Sequence, residues 1–152
     1  NQMPIATKSS KYDISKESDT ASIAKKFSSR VNKGDVLFFF GEIGVGKTTF
    51  IRYLINNIQK KNRLKLTEVT SPTFNLLNEY DSKDFLIQHY DLFRLKDAND
   101  AKNIGLLENN NNVLTLVEWP EKIRKKPGSR IELIFEYKSK LDKRILKVND
   151  FR

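Results

Sequence analysis

Two apolar runs and two stretches of helical spacing outline the chain. Val36-Leu-Phe-Phe-Phe40 contains no polar residue and reads as a buried strand, and Val113-Leu-Thr-Leu-Val117 reads as a second. After the first run, Phe50, Ile51, Leu54, Ile55 and Ile58 recur at helical spacing and predict a helix from Lys47 to about Gln59. Upstream, Ile23, Ala24, Phe27 and Val31 mark the inner face of a helix over roughly Thr20 to Arg30, with Ser18 or Asp19 as its cap. Leu76–Tyr80 and Phe85–Tyr90 flank the polar Asp81-Ser-Lys-Asp84 and predict a hairpin. Arg130–Tyr137, with Ile131, Leu133 and Phe135 on one face, and Leu141–Val148 predict a terminal hairpin. The lesser elements are edge strand Lys11–Ser15, strand Leu66–Val69, short helices over Asp97–Lys102 and Leu106–Glu108, exposed turn Asn109–Asn112 and one helical turn over Glu121–Lys125.

The segment between Val36–Phe40 and the helix changes this outline into a function. Gly41-Glu-Ile-Gly-Val-Gly-Lys47-Thr48-Thr49 matches the phosphate-binding pattern in full, with the required strand before it and helix after it. Such a loop presents backbone N–H groups at a helix N-terminus to phosphate oxygens. Lys47 then reaches the β- and γ-phosphates, and the Thr48 hydroxyl ligates Mg²⁺. Glu42, Ile43, Gly44, Val45, Gly46 and Thr49 complete the expected nucleotide-binding stretch. The fold class expected is α/β: a single P-loop NTPase domain with a mixed, mostly parallel central sheet flanked by helices. The two apolar strands are central and parallel, and the hairpins are antiparallel neighbours. The nucleotide belongs at the carboxyl ends of the central strands.

Length and composition set the bounds. The 152 residues fit one domain, taken as 11–152 after a polar extension over 1–10 that resembles neither a signal peptide nor a transit helix. No segment is long and apolar enough to cross a membrane, so no membrane partner is expected. The absence of cysteine excludes disulfides, thiolate metal sites and thiol nucleophiles, and a cytoplasmic setting is the simplest reading. The formal charge of +9 suits RNA, DNA, an acidic protein or the nucleotide itself. The short runs Lys25-Lys26, Lys60-Lys61 and Arg124-Lys125-Lys126 read as solvated faces rather than a base-reading surface.

A Mg²⁺–triphosphate site also needs carboxylates at strand ends. Glu118 follows Val113–Val117 directly and is assigned to Mg²⁺, directly or through water, with water orientation as a second task. Asp91 ends the strand before it; it either reaches the γ-phosphate side or makes an Asx-turn. Arg94 either contacts phosphate or anchors Asp91. His89, the one histidine, is read as structural rather than catalytic. Ser71 and Thr73 belong either to a segment sensing the γ-phosphate or to an ordinary Ser-Pro turn. Trp119 serves packing, nucleotide-site shielding or a partner contact. Asn32-Lys33-Gly34-Asp35 spells a guanine-recognition pattern but precedes the loop, and no Asp-x-x-Gly follows it, which argues against a small GTPase. A small-molecule kinase would need an acceptor pocket and an arginine-rich lid, and the arginines after the loop are not clustered. A compact NTPase acting through a partner leads, with a small-molecule kinase as the enzymatic runner-up and a nucleotide-dependent assembly module as the alternative of another class.

Taken in order, the loop, Ser71-Pro-Thr-Phe74, Tyr80, His89-Tyr-Asp-Leu-Phe-Arg94, Gly105-Leu106 and Val117-Glu-Trp-Pro-Glu121 resemble the small bacterial ATPase family TsaE, also called YjeE. The resemblance runs from about Ser18 through Lys122. It implies ATP and Mg²⁺ as cofactors, weak ATPase activity alone, and a place in the threonylcarbamoylation of adenosine 37 of tRNA. It also implies action on the transferase subunit and its paralogous partner, with tRNA contacted indirectly. By the same resemblance, Lys47, Asp91 and Glu118 are catalytic, Thr48 and Glu118 hold the metal, and Thr73 and Trp119 join the nucleotide site. Glu42, Val45 and Phe93 stand where Asp, Ala and Tyr are usual.

Overall fold

Val36–Phe40 forms β2, and its first four residues are buried, as expected of a strand covered on both faces. The computed structural model describes residues 8–72, 75–96, 110–140 and 142–152. Around β2 lie β1 (Lys8–Asp13), α1 (Glu17–Ser28), α2 (Lys47–Lys61), β3 (Leu77–Asp81), β4 (Leu86–Asp91), β5 (Val113–Glu118), β6 (Ile131–Tyr137) and β7 (Arg144–Asp150). The strands make one sheet in the order β1-β7-β6-β2-β5-β4-β3. The inner block β6-β2-β5-β4 is parallel throughout. The hairpins β3–β4 and β6–β7, and the edge pair β1–β7, are antiparallel. This is the α/β fold with a mixed central sheet that the apolar pattern predicts.

Alternation along the strands splits the core in two. Leu37 and Phe39 of β2, with Leu114 and Leu116 of β5, face α1 and α2; Val36 and Phe38 face the opposite side, with Tyr90, Leu92, Leu95, Val117 and Ile123. Both described helices therefore cover one face. Phe50 at the start of α2 is the hub of that side, its ring centroid 5.6 Å from Phe27 and 5.8 Å from both Phe39 and Phe135.

Several boundaries differ from the sequence reading. α1 starts at Glu17 with Lys16 as its cap, so Ser18 and Asp19 lie inside the first turn; the Asp19 carboxylate accepts the Lys16 N–H at 3.2 Å. Leu66–Val69 forms no strand. The Gln59 side chain accepts the Thr67 backbone N–H at 3.0 Å and donates to the Thr67 hydroxyl oxygen at 2.8 Å, and Leu66 is half exposed. The helical turn after β5 is a 3-10 turn, Pro120–Lys122, ended where Ile123 turns extended and packs into the core. β7 starts at Arg144 rather than Leu141 and continues to Asp150, because β1 and β6 both pair with it that far. The expected helices at 97–102 and 106–108 lie outside the described residues.

Candidate nucleotide and metal site

The parallel block brings three strand ends together. Register pairs Phe39 of β2 with Glu118 of β5, and Glu118 with Asp91 of β4, so both carboxylates stand beside the loop that leaves β2. The Leu92 N–H donates to the Glu118 carbonyl at 3.1 Å and ties the two ends. Gly41 begins the loop where only glycine fits. Its φ is +143°, and an added Cβ would meet Phe135 O at 2.8 Å and Val45 Cγ1 at 2.9 Å. Gly46, at φ +118°, caps α2 without using a side chain and leaves the helix N-terminus open toward the cleft.

Lys47 is 4% exposed. Its ammonium donates to the Gly41 carbonyl and lies 4.2 Å from the centroid of the Trp119 ring. Burial pulls its pKa below the usual lysine range, and the nearby Glu118, Asp91 and Glu121 only partly oppose that. Among the described residues no carboxylate lies within ion-pairing distance of this ammonium. A phosphate arriving here would supply the missing counter-charge.

Glu118 is buried and has both oxygens engaged: Oε1 accepts from the Thr48 hydroxyl at 3.3 Å, and Oε2 lies 2.7 Å from His89 Nε2. With Glu118 ionised, Nε2 carries the proton of that contact. His89 is fully buried, and its Nδ1 has no partner among the described residues. Read from the sequence as structural, it makes its side-chain contact with the carboxylate that also meets Thr48. Asp91 does two things at once. Its Oδ1 accepts the Phe93 N–H at 3.0 Å, an Asx-turn, while Oδ2 accepts the Ser71 hydroxyl at 3.0 Å on the cleft wall.

These groups border a cleft of about 470 Å³. Ile43, Gly44, Gly46, Lys47, Thr48 and Thr49 of the loop line it, with Ser71, Asp91, Arg94, Glu118 and Trp119. Glu42 is exposed and Val45 turns its side chain into the core, so neither side chain lines the cleft; Thr73 lies outside the described residues. Trp119 adopts the left-handed conformation, φ 60° and ψ 50°, which costs a non-glycine residue about 1 kcal/mol. That bend turns its ring to Lys47 and to Phe93, at a centroid distance of 4.9 Å. Phe93 and Arg144 also line the cleft. Arg144 comes from the terminal hairpin, where no motif signals it; cross-strand pairing alone brings it here.

The donor set suits Mg²⁺. A threonine hydroxyl and a carboxylate are hard oxygen ligands, and Mg²⁺ takes the rest of its shell from phosphate and water. Among the described residues no group of three or more histidine, cysteine, aspartate or glutamate side chains is arranged to hold a metal.

The family model described as "Threonylcarbamoyl adenosine biosynthesis protein TsaE" matches residues 14–146. The chain belongs to the TsaE family. Its similarity to the tRNA threonylcarbamoyladenosine biosynthesis protein TsaE of Rickettsia typhi is 36% identity over 113 residues, covering 74% of this chain and 76% of that one. For the protein of the same name in Aquifex aeolicus it is 33% over 131 residues, covering 84% and 90%. The crystal structure of Bacillus subtilis YdiB has the same fold, with a TM-score of 0.70 at 22% identity, covering 100% of this chain and 90% of that one. The TsaE match extends past Lys122 through most of the terminal hairpin, so the segment carrying Arg144 belongs to the family region. The chain thus stands among proteins of threonylcarbamoyladenosine biosynthesis, and its P-loop is the nucleotide-binding signature of a TsaE protein.

Proposed function

We propose that this TsaE-family protein binds Mg²⁺-ATP and hydrolyses it to ADP and phosphate in support of tRNA N6-threonylcarbamoyladenosine formation at adenosine 37. One observation carries the reading: Thr48 and Glu118 approach within 3.3 Å beside the buried ammonium of Lys47, at the open N-terminus of α2. In this scheme the loop N–H groups, with Glu42 to Thr49 as the binding stretch, hold the phosphate chain. Lys47 neutralises charge on the terminal phosphates, and Trp119 screens that ammonium from water. Thr48 and Glu118 would hold Mg²⁺, which would supply further charge neutralisation at the phosphates. Asp91 and Glu118 orient the attacking water, and Thr73 is assigned to a segment that senses the γ-phosphate.

Weak turnover alone follows from the carboxylates. Each oxygen of Asp91 and of Glu118 already makes one contact within the protein, which leaves fewer lone pairs to accept from a water. A partner that shifts Ser71 or the Phe93 backbone would release Asp91. The partners proposed are the transferase subunit and its paralogue, in the cytoplasm, with tRNA handled by them. ATP turnover with and without the purified transferase pair tests this, repeated with Lys47→Ala and Glu118→Ala. Stimulation in the wild type and its loss in both variants is expected. No stimulation, or a phosphorylated acceptor in place of free phosphate, rejects it. Normal complex formation and tRNA modification without hydrolysis would instead favour ATP as an assembly clamp, a reading that the engaged carboxylates also suit.

A further inference from the structure

The terminal hairpin overhangs the phosphate loop. β6 pairs with β2 only as far as Phe40↔Ile134, yet it continues to Tyr137. At about 3.3 Å per residue, that carries it roughly 10 Å beyond β2, alongside the loop. Tyr137 is the cross-strand partner of Arg144 in β7, so the two side chains share a face, the one that carries Phe135 and Leu146 toward α2. The Tyr137 hydroxyl donates to the Gly44 carbonyl at 3.1 Å, and Arg144 Nη1 donates to the Val45 carbonyl at 3.4 Å. In a trans peptide the N–H points opposite the carbonyl. Holding the Val45 carbonyl toward the hairpin therefore turns the Gly46 N–H away from it.

A brace of that kind needs only a neutral donor. Arg144 adds a charge, half-buried on the cleft wall, with Nη1 3.7 Å from where a Cβ on Gly46 would stand. Its two side-chain hydrogen bonds, to the Val45 and Ser15 carbonyls, are both 3.4 Å long and reach no negative group. Among the described residues no carboxylate forms an ion pair with it, and a guanidinium has donors to spare. Lys47 and the positive end of α2 lie on the same cleft, so three sources of positive potential converge there, faced by Glu118 and Asp91 but in ion-pair contact with neither among the described residues. The carboxylates stand at the metal side of the cleft, so a phosphate chain entering beside Arg144 and Lys47 would meet cations that have no direct ion pair among the described residues.

We propose that Arg144 is a phosphate-contacting residue supplied to the nucleotide site by the terminal hairpin, with Tyr137 beside it bracing the loop. This rests on the cleft being a nucleoside triphosphate site. Calorimetric titration of the full chain with Mg²⁺-ATP and with inorganic triphosphate, each at low and high salt, tests it. Arg144→Gln keeps a neutral donor for the Val45 carbonyl and removes the charge. Loss of one charge-assisted contact should weaken both ligands about 10- to 100-fold and flatten the salt dependence. Tyr137→Phe leaves the charge in place and should weaken binding only about 2- to 5-fold, from one neutral hydrogen bond, with the salt dependence unchanged. Arg144→Lys should recover part of the loss. Arg144→Gln binding within twofold of wild type overturns the inference, as does a loss equal to that of Tyr137→Phe with wild-type salt dependence. In both cases the nucleotide reading survives. A wild type that takes up neither ligand overturns both.

Discussion

Replacing His89 by leucine tests whether Glu118 is held for its task or merely lies near the loop. The two side chains are 0% and 4% exposed, and the contact between them is 2.7 Å. Losing a hydrogen bond to a charged group costs about 1.5–3 kcal/mol, and more where the remaining charge is left buried and unpaired. Two features favour the lower range. Glu118 keeps the Thr48 hydroxyl at 3.3 Å, and the imidazole takes with it an Nδ1 that has no partner among the described residues. A destabilisation of about 2 kcal/mol follows, and at roughly 2–4 °C per kcal/mol for this chain length the melting temperature should fall about 4–8 °C. His89→Gln, which keeps a donor near Nε2, should recover much of this. Thermal melts followed by circular dichroism supply the stability readout. The Mg²⁺ concentration giving half-maximal turnover supplies the functional one, because a drifting carboxylate weakens metal use where a simple core defect does not. His89→Leu with stability within about 0.5 kcal/mol of wild type, the range of ordinary surface changes, and an unchanged Mg²⁺ requirement would refute the reasoning.

Other outcomes follow from the same contacts. Gly41→Ala should cost roughly 2–5 kcal/mol, combining backbone strain with a clash against Phe135 and Val45, and should abolish nucleotide binding; urea denaturation and a binding titration check it. Phe50→Ala, which empties the hub between Phe27, Phe39 and Phe135, should cost about 3–5 kcal/mol in the same denaturation assay. Trp119 is the only tryptophan and lies 4.2 Å from the Lys47 ammonium, so inorganic triphosphate should shift its emission in wild type but not in Lys47→Ala. Asp13 is held below the ordinary carboxylate range by the Ser15 hydroxyl and N–H. A lowered folded-state pKa stabilises above the unfolded value, and that contribution is lost as pH falls through the folded one. Asp13→Ala should therefore be less stable than wild type at neutral pH and converge with it in acid; a gap in urea midpoints that stays constant with pH contradicts this.

The strand, loop and helix around Gly41–Thr49 were legible because their causes are local. An apolar run suits only a covered strand, glycines at Gly41 and Gly46 permit backbone angles other residues resist, and the spacing of Phe50 to Ile58 marks one helix face. The hairpins were legible for a similar reason, since turn chemistry and alternation act over a few residues. Leu66–Val69 was misread because the Gln59 side chain, not a strand, takes the Thr67 backbone N–H. That Glu118 and Asp91 stand at strand ends was legible in the same way, from the apolar runs that precede them.

What joins those ends was decided by tertiary structure. Alternation fixes which face a side chain takes but not which strand lies beside it, so the pairing of Asp91 with Glu118 depends on the order β2-β5-β4 and its register. The same holds for His89, whose meaning lies in a carboxylate 29 residues away. It holds most for Arg144, which reaches the Val45 carbonyl across 99 residues because β6 outruns β2. The sequence by itself determined that this chain has a phosphate loop and the local elements to display it. The fold decided which charges surround that loop, because charges far apart in the chain meet only after the sheet has chosen its neighbours.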